Sequence, residues 1–333
     1  MATAALSVAA HAQGAARLAA LLGWLNVGMY AVLLALLVWR VARYPRDVMA
    51  DLSDHLKSPG FFTLVAGTCT LGSQLLVEGG PAGVAWLLWA VGITTWAAVM
   101  YTVFTALTIK DGKPPLEEGL SGAWLLAVVA TQSVSVLSAL LAPRLGPAAR
   151  LGFEFLALSL LLFGGMLYVW MISLIFYRYT FLPLAPSDLS PPYWINMGAM
   201  AISTLAGATL LLTSGGASPL LGPLHAFVAG VTVLFWATGT WWIPMLLTLG
   251  AWRHVARRFP WRYDVSYWGA VFPLAMYTLA TSRLSQALDL EFLRVVPRVG
   301  LVVASAAWVV VFIGMARAVL TAGVRRAAGA RPA

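Results

Sequence analysis

Apolar residues run along this chain in long blocks separated by brief polar punctuation, and the blocks predict the elements. Thirteen small apolar residues at positions 2–14 end at Arg17. Longer blocks follow at Leu18–Trp39, Phe61–Val77, Gly79–Ile109, Leu120–Ala142, Leu151–Tyr177, 191–213, Pro223–Trp252, Val265–Ser282 and Val299–Ala316. A helix needs about 20 apolar residues to cross a hydrocarbon core. The nine longer blocks therefore predict spans, and the first predicts half of one. Numbering that half-span as the first gives ten helices. From Leu189 to Trp252 there is no Asp, Glu, Lys or Arg, which leaves room for two spans joined at a Gly215-Gly216 turn.

Four of the odd-numbered spans open alike. Ser58-Pro-Gly-Phe-Phe62, Ser121-Gly-Ala-Trp124, Ser190-Pro-Pro-Tyr-Trp194 and Asp264-Val-Ser-Tyr-Trp268 each set small, polar or Pro residues ahead of an aromatic. The aromatics Phe62, Trp124, Trp194 and Trp268 recur at separations of 62, 70 and 74 residues, and each period holds two spans. The chain reads as repeated helical hairpins.

Within the odd spans, small polar residues fall on helical stripes. Thr63, Gly67, Thr70 and Gln74 are spaced i, i+4, i+7, i+11; Thr131, Ser135 and Ser138 repeat the pattern, and so do Asn196, Met200, Ser203 and Gly207. Such stripes fit close packing of membrane helices, which small residues permit. They fit equally a polar lumen shared by alternate helices. The ninth span carries Phe272-Pro273. A proline there removes a backbone donor and predicts a kink. Phe272 is then either packed core or a ring presented to a lumen.

Composition supports the membrane reading. Of 333 residues 61% are hydrophobic and 10% charged, where a soluble domain carries about 25% charged residues. The net charge of +9 raises the question of nucleic acid, but its distribution answers to topology instead. Of the 21 Lys and Arg, 15 follow even spans; only Arg17, Arg144, Arg150, Arg283, Arg294 and Arg298 follow odd ones. The positive-inside rule then places the ends of the even spans, and the C-terminus, in the cytoplasm. No nucleic-acid partner is expected; the lipid bilayer is.

Candidate chemistry is sparse. Cys69 is the single cysteine, and the four histidines are scattered without ligand spacing, so neither metal nor cofactor is expected. No nucleophile motif, phosphate loop or dinucleotide turn is present, so the chain is not read as an enzyme. A membrane enzyme with a cofactor between helices is the distant alternative, which an absorbance spectrum would settle. No intramembrane carboxylate–cation pair, the usual mark of proton-coupled carriers, is visible. Pores with hydroxyl and amide donors but no fixed charge can pass anions without trapping them.

Several blocks resemble the tellurite-resistance/C4-dicarboxylate transporter family, which includes slow anion channels, tellurite-resistance channel homologues, and malate and sulfite transporters. They are Pro59-Gly-Phe-Phe-Thr-Leu-Val-Ala-Gly67, Gly122-Ala-Trp-Leu-Leu126 with Val129-Ala-Thr-Gln-Ser133, Pro192-Tyr-Trp-Ile-Asn-Met-Gly198, Leu234-Phe-Trp-Ala-Thr238 with Trp241-Trp-Ile-Pro244, and Tyr267-Trp-Gly-Ala-Val-Phe-Pro273. The resemblance implies an all-α membrane protein of ten helices, five hairpins in quasi-fivefold arrangement around a pore, in a bacterial cytoplasmic membrane. It further implies a homotrimer with one pore per subunit, conducting or exporting small anions. Phe272 would plug the pore, with Pro273 beside it. Met1-Ala-Thr3 resembles the middle of the family's first helix, so more apolar residues are expected to be encoded upstream. Residues 1–320 form one expected transport domain and 321–333 a short basic tail. A proton-coupled C4-dicarboxylate carrier is the alternative.

Overall fold

The computed structural model describes residues 1–214 and 218–329, with side chains to Thr321. The expected Gly215-Gly216 turn and the last residues of the basic tail lie outside the described residues. Those described are almost wholly helical, as a chain immersed in lipid must be, because a helix satisfies its backbone groups internally. In order the helices are α1 (Ala2–Ala12), α2 (Ala16–Arg43), α3 (Pro45–Leu52), α4 (Phe62–Val77), α5 (Ala82–Ile109), α6 (Leu116–Gly119), α7 (Leu126–Leu141), α8 (Pro147–Phe181), α9 (Ile195–Ser214), α10 (Leu221–Ala251), α11 (Trp268–Ala287) and α12 (Val295–Gly329).

The predicted spans reappear, and the second, sixth, eighth and tenth run longer than expected. The sixth extends back to Pro147, whose fixed φ suits a first helical position after Gly146. The tenth begins at Val295 and continues past Ala316. The eighth passes beyond Trp252 in a π-helical turn, Trp252–Ala256. Helix α3 was not expected. Pro45 starts it, Val48 is buried beneath it, and Asp51 pairs with Arg40 of α2 and Lys57 of the next linker. Helix α11 runs on through Pro273 to Ala287. The proline costs the carbonyl of Gly269 its partner one turn earlier without ending the helix.

Five helices form an inner ring. Each packs on the next in the cycle α1, α4, α7, α9, α11, and α11 closes back onto α1. The longer helices α2, α5, α8, α10 and α12 lie outside, each lodged between its own inner partner and the following one. Burial separates the two sets. In the most apolar stretch of the seventh-helix span 94% of residues are buried, against 17% for α5. Outer helices present large apolar side chains such as Trp24, Leu87, Phe181 and Val302 to their surroundings. This is an all-α polytopic membrane protein.

The four similar openings become one structural device. Ser58–Phe61, Gly122–Leu125, Pro191–Trp194 and Val265–Tyr267 are single 3₁₀ turns that run directly into α4, α7, α9 and α11. Ser121 and Asp264 cap two of them by accepting the backbone N–H two residues on. Consecutive turns touch, forming an arc across one end of the ring. Gly122 is fixed by this contact, since a Cβ there would lie 2.5 Å from the Pro192 carbonyl oxygen.

Cations at the ends of outer helices clip the arc. Lys110 donates to the Ser53 carbonyl at 2.9 Å, Arg178 to that of Leu120 at 3.1 Å, and Arg253 to that of Leu189. In each case the cation ends the outer helix of a hairpin and grips the linker that enters it.

Candidate functional site

All five inner helices contribute to one cavity of about 130 Å³, near the end of the ring opposite the turns. Helix α1 supplies Ala4, Ala5 and Val8; α4 supplies Thr70, Ser73 and Val77. Ser133 and Leu140 come from α7, Ile202 and Thr209 from α9, and Met276, Leu279 and Arg283 from α11. The first inner wall is short yet sits fully in the ring: every residue from Ala2 to Ala10 is buried.

Phe272 lies four residues before Met276, on the same helical stripe that continues through Leu279 to Arg283. It is 2% exposed. By spacing alone it lies one turn along α11 from the cavity-lining Met276. Pro273 locks against α9. A Cβ on Gly198 would sit 2.6 Å from the proline Cγ, so α9 and α11 meet through a glycine and a rigid ring.

Of the polar stripe residues, Thr70 alone lines this cavity. Most of the others meet outer helices at the seam. Thr131 and Ser138 accept the indole N–H of Trp96 and Trp89 on α5, at 2.9 and 2.8 Å. Ser135 donates to the Ala157 carbonyl of α8 at 2.7 Å. Gln74 receives the Asn26 amide of α2 at 2.9 Å. Asn196 offers its backbone carbonyl to Tyr168 of α8, whose hydroxyl in turn accepts the Trp242 indole of α10.

The glycines follow the same logic. Gly207 makes room for Thr232 of α10, and the nearest atom to Gly67 belongs to Tyr30 of α2. Ser203 is fully buried and donates to Ala199 in its own helix. Thr63 is exposed beside the first 3₁₀ turn and donates to Gly60.

The same seam device recurs elsewhere: Trp236 donates to Thr281, and Trp308 to Thr3. An indole N–H among apolar helices needs an acceptor, and the inner helices provide it. The α7 stripe is thus a pair of sockets for tryptophans of α5. The signal that could have revealed this was the tryptophan content of the even spans.

The cavity also differs from a lumen of free hydroxyl donors. Thr70, Ser73, Ser133, Thr209 and Thr213 all line it, and each hydroxyl proton is donated to a carbonyl of its own helix, at 2.7–2.9 Å. They present lone pairs inward. Nor is the lining without fixed charge, because Arg283 is part of it. Among the described residues no group of His, Cys, Asp and Glu is arranged to hold a metal ion.

A ring of membrane helices around a polar-spotted cavity, with an aromatic beneath it, defines a channel or transporter of small solutes. The sequence signature of the SLAC1 family, described as voltage-dependent anion channel, matches residues 1–316. The chain belongs to that family of anion channels and transporters.

Among similar proteins, a membrane protein of Mycobacterium tuberculosis (strain ATCC 25618 / H37Rv) is 41% identical over 149 residues, covering 45% of this chain and 75% of that one. A transporter of Methanocaldococcus jannaschii is 23% identical over 272 residues, 78% of this chain and 74% of its own. A sulfite efflux pump of Arthroderma otae is 24% identical over 307 residues, 86% and 79%.

Proposed function

We propose that this protein passively conducts small anions, or facilitates their export, across the cytoplasmic membrane. The observation that carries the reading is a cavity walled by all five inner helices, with Phe272 buried on the same α11 stripe one turn away. Phe272 is the gate, and Pro273, wedged at Gly198, holds it in place. Thr70 lines the path, while Thr63, Gly67, Gln74, Thr131, Ser135, Ser138, Asn196, Ser203 and Gly207 hold the ring together or flank it. The hairpins repeat in quasi-fivefold fashion, with one pore per subunit of a homotrimer. The arc of 3₁₀ turns faces the cytoplasm, because 15 of 21 Lys and Arg fall at that end.

Sulfite is the first substrate to test, since a relative over most of the chain is named a sulfite efflux pump. Malate, other small carboxylates and tellurite follow.

The test is flux into liposomes with and without a proton gradient, for the wild type and Phe272→Ala. Flux that follows the anion gradient alone, and rises in a monodisperse Phe272→Ala protein, supports a gated channel. A strict requirement for the proton gradient would turn the reading to a carrier.

A further inference from the structure

The cavity is short of donors. Its five hydroxyls spend their protons on backbone carbonyls, so they meet an entering solute as acceptors and would oppose an anion. Arg283 is the single charged residue in the lining. It is half-buried, and its Nη1 donates to Gln286 one turn on, at 3.0 Å.

Among the described residues no carboxylate pairs with it. Of the carboxylates nearby in sequence or at the same end, Asp289 forms no ion pair with Arg283, and the others are engaged elsewhere. Glu78 accepts from Ser7 and Gln74, Glu154 from Arg150 and Ser218, and Glu291 pairs with Arg294. A guanidinium without an ion-pair partner beside this void is therefore the one feature of the cavity that favours negative charge. A cavity of about 130 Å³ exceeds several-fold what one water needs.

We propose that Arg283 is the anion-binding residue of this cavity and selects oxyanions with two adjacent oxygens over spherical halides. The inference rests on the anion-channel reading. Its reason is shape: the guanidinium fork meets two oxygens of a sulfite, bicarbonate or carboxylate in parallel hydrogen bonds, which a halide cannot return. Arginine also stays charged wherever it is placed in a protein, so the site needs no proton to work. Arg283 lies eleven residues along α11 from Phe272, about 16 Å by helical rise. The capture point and the gate are thus two places on one stripe.

The test compares the wild type, Arg283→Gln and Arg283→Lys by two readouts. The first is thermal stabilisation of purified protein by sulfite and by chloride at equal ionic strength. The second is flux of each anion into liposomes. Sulfite should raise the wild-type Tm more than chloride does. Arg283→Gln should abolish that difference, and Arg283→Lys should keep a response to charge but lose the preference. Sulfite flux should fall about tenfold or more in Arg283→Gln, the scale of a lost charge-assisted pair, with chloride flux less affected.

The Tm without added anion shows whether each variant is folded. Identical sulfite-over-chloride preference in wild type and a folded Arg283→Gln overturns the assignment, as does a wild type that sulfite does not stabilise. A wild type that carries no anion, yet shows Arg283-dependent stabilisation by sulfite, refutes the channel reading and leaves the binding site standing.

Discussion

Gly198→Ala is the substitution that most directly tests how the helix of the proposed gate is held. The added Cβ would lie 2.6 Å from Pro273 Cγ, 2.9 Å from its Cβ and 3.2 Å from its Cα. Carbon atoms rest at about 3.5–4.0 Å, so α9 and α11 must part by about 1 Å. A flexible side chain could swing aside, but a proline ring is fused to its own backbone and the whole helix has to move. Overpacking of this kind costs about 1–3 kcal/mol.

The consequence extends to transport, because Phe272 is bonded to Pro273 and travels with it. Gly198→Ala should lower the unfolding temperature and raise anion leak through an unliganded, reconstituted protein. In the double variant Gly198→Ala/Pro273→Ala the Cγ contact disappears while the Cβ contact remains, so part of the lost stability should return. A coupling of about 0.5–3 kcal/mol is the expected range for touching residues. The assay is thermal unfolding in detergent alongside liposome flux for the four members of the cycle. Wild-type stability and wild-type leak in Gly198→Ala would refute the argument that this contact positions the gate.

Three further outcomes follow from the same geometry. Thr131→Val should remove the acceptor of the Trp96 indole and cost about 1 kcal/mol without altering flux, whereas Thr70→Val, in the cavity wall, should alter flux; equal flux effects in the two would show that seam and lumen are not distinct. The hydrogen bond from Lys57, with Arg40 beside it, holds the Asp51 carboxyl below the usual carboxylate range. Its contribution is therefore complete above about pH 4 and is lost as pH falls through the depressed value. Asp51→Asn should accordingly cost at most about 1 kcal/mol at neutral pH, and the gap to wild type should close in acid-unfolding curves. A reporter fused after Arg331 should read as cytoplasmic, and a periplasmic signal would invert the proposed orientation.

The spans were legible in the sequence because lipid imposes a length and a composition on them, and the alternation of inner and outer helices showed in which spans carried small polar residues. The faces of the inner helices were harder to read. A helix such as α7 is buried all round, with the cavity on one side and α5 and α8 on others, so no exposed side marks its orientation. Hydroxyls occur on both faces, Ser133 toward the cavity and Thr131 toward Trp96. Spacing alone cannot choose between them. Phe272 was legible as a special residue through Pro273, while its glycine counterpart on α9 depended on a long-range contact that periodicity does not encode. Arg283 counted in the sequence only toward topology, since nothing local signals that no carboxylate pairs with it in the fold.

The closure of the ring by α11 against α1 sets the order in which the protein can come into being during synthesis. Thr3, whose hydroxyl accepts the Trp308 indole, waits for a partner 305 residues later. Until the last hairpin leaves the ribosome, the first four lie side by side as an open trough, its polar lining exposed to the bilayer along one edge. Transport competence cannot accumulate hairpin by hairpin; it arrives with the final one. An interrupted translation product would thus lack the closed ring.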